Sequence, residues 1–201
     1  TILINEVAWA GNASSTSEEW IELSTDIGGG LSLLNWQLLD KDEEIKIQFD
    51  NQNIEDYLLL RRILTTDNIN ETYYVSDVQA DILFTGTIQN DDETLRLFDA
   101  SCNLVDEVSD VGNSWGNIGG EASPSYTTAE RVDNSLWGTY QGPTRDINGT
   151  PKAINSLLEA PSGESEEETE EEEEEETGNT TEDPVEDPEE EVVDEDIDEV
   201  V

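Results

Sequence analysis

The sequence contains no histidine. That removes the side chain that most often serves as general base, and with it the Ser-His-Asp and Cys-His arrangements and most transition-metal sites. Cysteine occurs once, at Cys102, so neither an internal disulfide nor a cysteine-rich zinc site can form. A lone cysteine among strands reads as a small, half-buried hydrophobe rather than a reactive thiol. Long apolar runs are missing as well: no stretch of 18 or more such residues occurs, so no segment reads as a membrane-spanning helix.

Positive charge is scarce, with eight bases against 51 acids. All eight bases precede position 153, and the acids fall in two blocks. Residues 1–157 hold 27 acids and eight bases, a net −19, whereas residues 158–201 hold 24 acids and no base, a net −24. Both blocks repel phosphate backbones and lack the basic footprint of a nucleic-acid binder. Anionic membrane surfaces are disfavoured for the same reason, and attraction runs toward cations and basic proteins. The first residue is Thr1 rather than Met, which suggests a processed or trimmed N-terminus; a removed signal peptide is one route to it.

Organisation changes near residue 158, where "GTPKAINSLLEAPSG" gives way to "ESEEETEEEEEEETGNTTEDPVEDPEEEVVDEDIDEVV". The second segment has too few large apolar groups to offset its ordering entropy, so residues 158–201 are expected to be a disordered acidic tail or linker. Glu170–Glu176 set like charges at every i,i+4 spacing, which works against a helix, and the Asp-Pro pairs at 183–184 and 187–188 favour extended backbone.

Residues 1–157 read as β throughout. Short apolar or alternating runs recur ("ILINEVAW", "EWIEL", "NWQLLD", "EIKIQF", "YLLLRRI", "YYVSDV", "DILFTGTI", "ETLRLFD", "LVDEVS"), separated by turn sequences such as "GGG", "DKDE", "DNQN", "NDDE" and "ASCN". No window of helical length carries a 3.6-residue period. Strands of this length and spacing predict an all-β sandwich or barrel. "ETLRLFDASCNLVDEVS" predicts a hairpin with Leu95, Leu97, Leu104 and Val108 turned inward. From about 109 to 150 the pattern loosens, with Trp115, Tyr126, Trp137 and Tyr140 spaced along it to pin the chain across a sheet.

"INEVAW" at 4–9, "EEWIEL" at 18–23 and "LSLLNWQLLD" at 31–40, together with "DYLLLRR" at 56–62, resemble the lamin tail domain in its bacterial form. "TGTIQNDDETLRLFDASCNLVDEV" at 85–108 resembles that family's most distinctive stretch, and "AERVD" at 129–133, Trp137 and "GTPKAIN" at 149–155 resemble its closing features. The resemblance covers nearly all of residues 1–157 and none of the acidic tail. It implies an immunoglobulin-like β-sandwich serving as an interaction or accessory module of exported or cell-surface proteins, and it supplies no catalytic residues. Neither a heptad run nor a C-terminal Cys motif is present, which speaks against a filament role. Three positions depart from the family pattern: Asp56, Asp92 and Cys102 stand where it usually has glycine in turns.

The acids around "AWAGNASSTSEEWIEL", residues 8–23, raise the question of a site. In a strand through Trp20, Glu22 shares a face with Trp20 while Ile21 and Leu23 share the other, so one face is core and the other a partly covered edge. That scaffold reading is the favoured one. The competing reading sets Glu6, Glu19 and Glu22 on neighbouring strands as weak carboxylate ligands for a hard cation such as Ca²⁺; otherwise no cofactor is expected. "DKDEE" at 40–44 and "DEDIDE" at 194–199 have the opening spacing of a calcium loop but lack its later glycine and glutamate, and read as solvated charge. Trp36 reads as sandwich core, while Trp115, Tyr126 and Trp137 are candidates for an aromatic surface that binds a glycan or peptide. The N-x-S/T matches at Asn12, Asn70, Asn148 and Asn179 are what an Asn- and Thr-rich sequence produces by chance.

The expectation is therefore a monomeric, non-enzymatic module, extracellular or at the cell surface, used for adhesion, display or positioning of a neighbouring domain. It would engage a protein or glycan partner, with no nucleic acid and no membrane insertion. The alternative is a polyanionic binder or chaperone of basic proteins acting through the acidic tail. A carboxylate-based enzyme is the least favoured class, since no pair of acids is singled out.

Overall fold

The computed structural model describes residues 1–28, 30–68, 71–109, 118–120, 126–144 and 147–158. The acidic segment expected to be disordered lies outside the described residues from 159 onward, as do Trp115, Asn70 and Asn179. The described residues belong to one compact unit, Thr1–Gly163.

Alternating patterning becomes strands wherever it was read, and the described residues hold no helix. The strands are β1 (Ile2–Ala8), β2 (Trp20–Thr25), β3 (Leu31–Ser32), β4 (Gln37–Leu39), β5 (Lys46–Gln48), β6 (Asn53–Ile54) and β7 (Tyr57–Arg62). They continue with β8 (Tyr74–Val75), β9 (Val78–Gln79), β10 (Ile82–Phe84), β11 (Thr94–Phe98), β12 (Leu104–Ser109), β13 (Ala129–Arg131) and β14 (Trp137–Thr139). A six-stranded sheet runs β10-β7-β2-β1-β13-β14, and a four-stranded sheet runs β12-β11-β4-β5. Neighbours in both are antiparallel except β10 and β7, which are parallel. The pairs β3-β6 and β8-β9 form two small ribbons.

The two sheets face each other across one apolar core. Ile4, Val7, Ile21, Leu23, Leu58 and Leu60 come from the larger sheet, and Leu38, Ile47, Leu95 and Leu97 from the smaller, all buried. Trp36, Tyr126 and Trp137 pack against this core at its margins. The molecule is an all-β sandwich. Burial of such alternating side chains, at roughly 25 cal/mol per Å² of apolar surface, is what holds sheets together.

Strict alternation from Ile2 and Ile4 would drive Glu6 into this core. The pairing of β1 with β2 shifts register between Ile4 and Glu6, so Asn5 is an extra residue that resets the parity. Val7 then points inward, and Glu6 and Ala8 point outward with Trp20 and Glu22. A second bulge explains where the hairpin expectation fails. Leu95, Leu97 and Val108 are buried as expected, but Leu104 is 53 % exposed. The register shift between Leu97 and Phe98 pairs Leu104 with outward-facing Phe98, while Asp106 takes the inward place opposite Leu97.

Asp92 and Cys102 adopt φ of 59° and 62°, the left-handed conformation that favours glycine. Cys102 is exposed at its turn rather than half-buried. At Gly120, φ is +90° and an added Cβ would meet the Trp9 ring at 2.3 Å, so the indole lies directly on the backbone there. The Trp9 Nε1–H donates to the Ile118 carbonyl at 3.0 Å, which fixes the ring.

The outer face of the six-stranded sheet is covered rather than being a half-open edge. Ala8, Trp20 and Leu59 are buried beneath Val75 and Ile147, with Val78 against them. The β8-β9 ribbon and the segment 147–156, here called the strap, form this third layer.

Candidate functional site

The bulge at Asn5 has a chemical consequence on the outer face. The register pairs Glu6 with Glu22 on one side and with Glu130 on the other, so three carboxylates stand in a row across β2, β1 and β13. All three are wholly buried. Isolated charges in such a place would be very costly, so each must be met by donors.

The strap and its neighbours supply them. Thr150 donates its N–H to Glu6 Oε1 at 2.9 Å, and its hydroxyl lies 2.9 Å from both Glu6 Oε2 and Glu130 Oε1. The Thr128 hydroxyl bonds Glu6 Oε1. Ser156 donates its N–H to Glu130 Oε1 at 3.2 Å and its hydroxyl to Oε2 at 2.6 Å. Glu22 accepts from the Lys152 N–H and, at 2.9 Å, from the Asn5 side-chain amide. The strap lies flush on the sheet: a Cβ at Gly149 would meet Glu6 Oε1 at 2.7 Å and Trp20 Cζ2 at 2.9 Å.

Burial pushes the Glu6 carboxyl up to about 8, assisted by the charge of Glu130 and opposed by the bonds from Thr128 and Thr150. Burial likewise holds Glu22 well above the usual carboxylate range, with the charge of Glu6 adding to it and the Lys152 N–H opposing.

Glu19 is not part of this row. Three positions before Glu22, it projects to the opposite side of β2. There it is paired with Arg62 at 2.8 Å and accepts the Ile88 N–H at 2.8 Å, tying the end of β7 to the loop before β11. Burial pushes it up to about 7, the Ile88 N–H and Arg62 opposing. The structure thus brings Glu6 and Glu22 together and places Glu19 elsewhere. Among the described residues no group of three or more acid or cysteine side chains is disposed to hold a metal ion.

Of the aromatic candidates, Trp115 lies outside the described residues. Tyr126 and Trp137 are partly buried and pack against the inter-sheet core, and the Arg131 guanidinium lies over the Trp137 ring, 4.8 Å from its centre. One face of that indole is therefore taken by the chain's own cation. Two hollows border the covered sheet. One, of about 520 Å³, lies beside the strap between Val78 and Tyr140; the other, of about 590 Å³, is lined by Thr1, Asn5, Tyr57 and Leu158 among others.

Several of the residues that organise this region carry no sequence signal of their role. Glu130 sits in "AERVD" and Thr150 and Asn155 in "GTPKAIN", segments legible as family-like closing features without any stated function. Arg131, inward-facing beside Glu130, donates to the Ile4 carbonyl at 2.6 Å and pairs with Asp106 at 2.6 Å, joining the two sheets. In "DKDEE", Asp40 Oδ2 accepts the Ile45 N–H at 2.9 Å, whereas its Oδ1 is buried with no donor. No protein-family model matches the chain, and no curated protein matches it in sequence.

Proposed function

We propose that this domain is a non-enzymatic interaction and positioning module of an exported or cell-surface protein, of the lamin-tail kind, with its acidic segment acting as a solvated linker. The observation that carries the reading is how the buried acids of the outer face are used: Glu6, Glu22 and Glu130 accept from Thr150, Lys152 and Ser156 of the strap and so tie the frame together. The cross-ties support the same role: Arg131 joins the sheets and the strap closes the outer face, giving a stiff body. The acids with the most perturbed titration are engaged by donors of the chain itself, so they serve the frame rather than carboxylate catalysis. Export and surface location follow from the family resemblance.

The charge of the acidic segment, −24 over residues 158–201, favours a second reading as a polyanionic binder of basic proteins. The two are separated by labelling exposed Cys102 and presenting the full chain to glycan and protein arrays at low and high salt. A second form has the acids of residues 164–176 replaced by glutamine. Binding that survives both high salt and neutralisation supports the module. Binding restricted to basic proteins and abolished by either change supports the polyanion and overturns the first reading.

A further inference from the structure

The hydrogens around Glu6 and Glu130 do not suffice if both carboxyls are ionised. The Thr150 hydroxyl has one hydrogen, yet it stands 2.9 Å from an oxygen of each. If it donates to one, the other contact sets two lone pairs against each other unless that carboxyl carries a proton and donates back. A proton on Glu6 Oε2 meets this shortage: it is donated to the Thr150 hydroxyl, which donates in turn to Glu130 Oε1. The Thr128 hydroxyl then gives its hydrogen to Glu6 Oε1, and the Asn148 carbonyl accepts the Thr128 N–H at 2.9 Å.

We propose that the strap is a proton-held latch: Glu6 and Glu130 share one proton across the Thr150 hydroxyl, and loss of that proton frees residues 147–156 from the outer face of the sheet. The other groups facing the pair fit this assignment. Glu22 on β2 is itself held above its usual range by burial and by the Glu6 charge, so it too favours the protonated form. Lys152 brings positive charge from the strap, but its Nζ is engaged by Asp81 at 2.8 Å. The phenol of Tyr57 on β7 is pushed up by burial first and then by the charges of Glu22, Asp56 and Glu6. Asp77, on the β8-β9 ribbon, lines the hollow that Thr150 and Ser156 also line. Deprotonation in this setting adds charge where negative charge already prevails.

The direction follows from linkage. The closed state holds Glu6 protonated up to about pH 8, whereas an open, hydrated glutamate ionises near its ordinary 4.5. Between those values opening releases the Glu6 proton, and Glu22, which also loses a strap donor, can release a second, so the open fraction grows at least ten-fold per pH unit and less steeply above about pH 8. Below the lower value the latch is fully held.

The test is amide hydrogen exchange on the full chain from about pH 5 to about pH 9.5, corrected for base catalysis. The N–H groups of Thr150, Lys152 and Ser156, which donate to Glu6, Glu22 and Glu130, report the strap. The N–H of Leu97 in β11 reports the core. Protection of the three strap amides falls at least ten-fold per unit up to about pH 8 and less steeply above it, while Leu97 stays protected. Glu6→Gln, which puts an amide hydrogen where the proton sits, removes one proton's worth of the slope. Carboxyl-carbon NMR of the unaltered chain is the second measurement and needs no variant to fold: at neutral pH one of Glu6 and Glu130 reads as protonated. Strap protection that ignores pH, protection lost in step with Leu97, or two ionised carboxyls at neutral pH each overturns the latch.

Discussion

Asn5 and Asn155, 150 residues apart in the chain, clasp each other: the Asn5 amide donates to Asn155 Oδ1 at 3.0 Å, and the Asn155 amide donates to the Asn5 carbonyl at 3.2 Å. Asn155 also donates to the Arg131 carbonyl at 2.8 Å. The bulge that turns Glu6 outward is thus fastened to the strap that covers Glu6. A bulged residue leaves ladder groups unpaired, and here a buried side chain from the end of the domain satisfies them.

Asn155→Ala strips donors from the Asn5 and Arg131 carbonyls and leaves a small void. The expected loss is about 2–4 kcal/mol, read as a lower urea midpoint. Asn155→Asp keeps the shape but faces acceptors with acceptors, and sets a new charge near three glutamates. It should be at least as damaging at neutral pH and recover on acidification.

Arg131 is the tie between the sheets. Its guanidinium serves the Ile4 and Asn134 carbonyls, pairs with half-buried Asp106 and covers Trp137. Burial pulls its pKa down, and the Asp106 charge holds it up. Arg131→Ala leaves half-buried Asp106 with the Ile4 N–H but no cation, at a cost of about 3 kcal/mol. Arg131→Lys, which cannot fork to so many acceptors, should rescue only a minor part in the same urea melts.

Calcium at millimolar concentration, compared with magnesium and with chelator at matched ionic strength, should leave the melting temperature unchanged. Native-state binding would raise it. The oxygens of Glu6, Glu22 and Glu130 face Thr150, Lys152, Ser156 and Asn5, and Glu19 is spent on Arg62. A calcium-selective rise abolished by Glu6→Gln would mean that the strap yields to the ion.

What could be read in advance follows the physics of each feature. Alternation, turn chemistry and strand spacing are local, so β1, β2, β7 and β11 were legible, along with the face shared by Trp20 and Glu22. The bulges at Asn5 and within β12 were not, because one extra residue inverts a pattern that otherwise looks regular. "ILINEVAW" holds two polar residues side by side, and only the partner register shows that Asn5 is the extra one and that Glu6 has left the Ile4 face. Glu6 and Glu22 could be placed together because their strands are neighbours in sequence. Glu130 could not: β13 joins β1 across more than 120 residues, and "AERVD" contains nothing that announces which strand it will meet. The covering strap was invisible for the same reason. A polar stretch such as "NGTPKAIN" reads as an exposed loop unless the carboxylates that bind its N–H groups are already in view.

Cys102→Gly should stabilise the domain. Cys102 holds φ at 62°, a conformation that costs a side chain about 1–2 kcal/mol, and glycine escapes that cost while losing roughly 0.5–1 kcal/mol to its freer unfolded chain. The net gain is up to about 1 kcal/mol, seen as a higher melting temperature. Cys102→Ala retains the strained backbone and should change little. That comparison separates backbone strain from any effect of losing an exposed thiol.

Asp40→Asn should also stabilise, with a pH dependence that identifies the cause. Asp40 Oδ1 is buried with no donor, and burial, then the charges of Glu93 and Asp42, push the carboxyl up to about 6 against the pull of the Ile45 N–H. Its folded value lies above the ordinary 3.8, so the stability it contributes is whole below about pH 4 and is lost as pH rises through about 6. Asparagine keeps an oxygen for the Ile45 N–H and turns an NH₂ toward Asp42 where the carboxylate had only lone pairs. Urea melts at neutral pH should show a gain of about 1 kcal/mol for Asp40→Asn, shrinking to nothing by about pH 4. A variant less stable than the parent at neutral pH would mean that the Asp40 charge is used, and that a cation or a proton shared with Asp42 fills the place beside Oδ1.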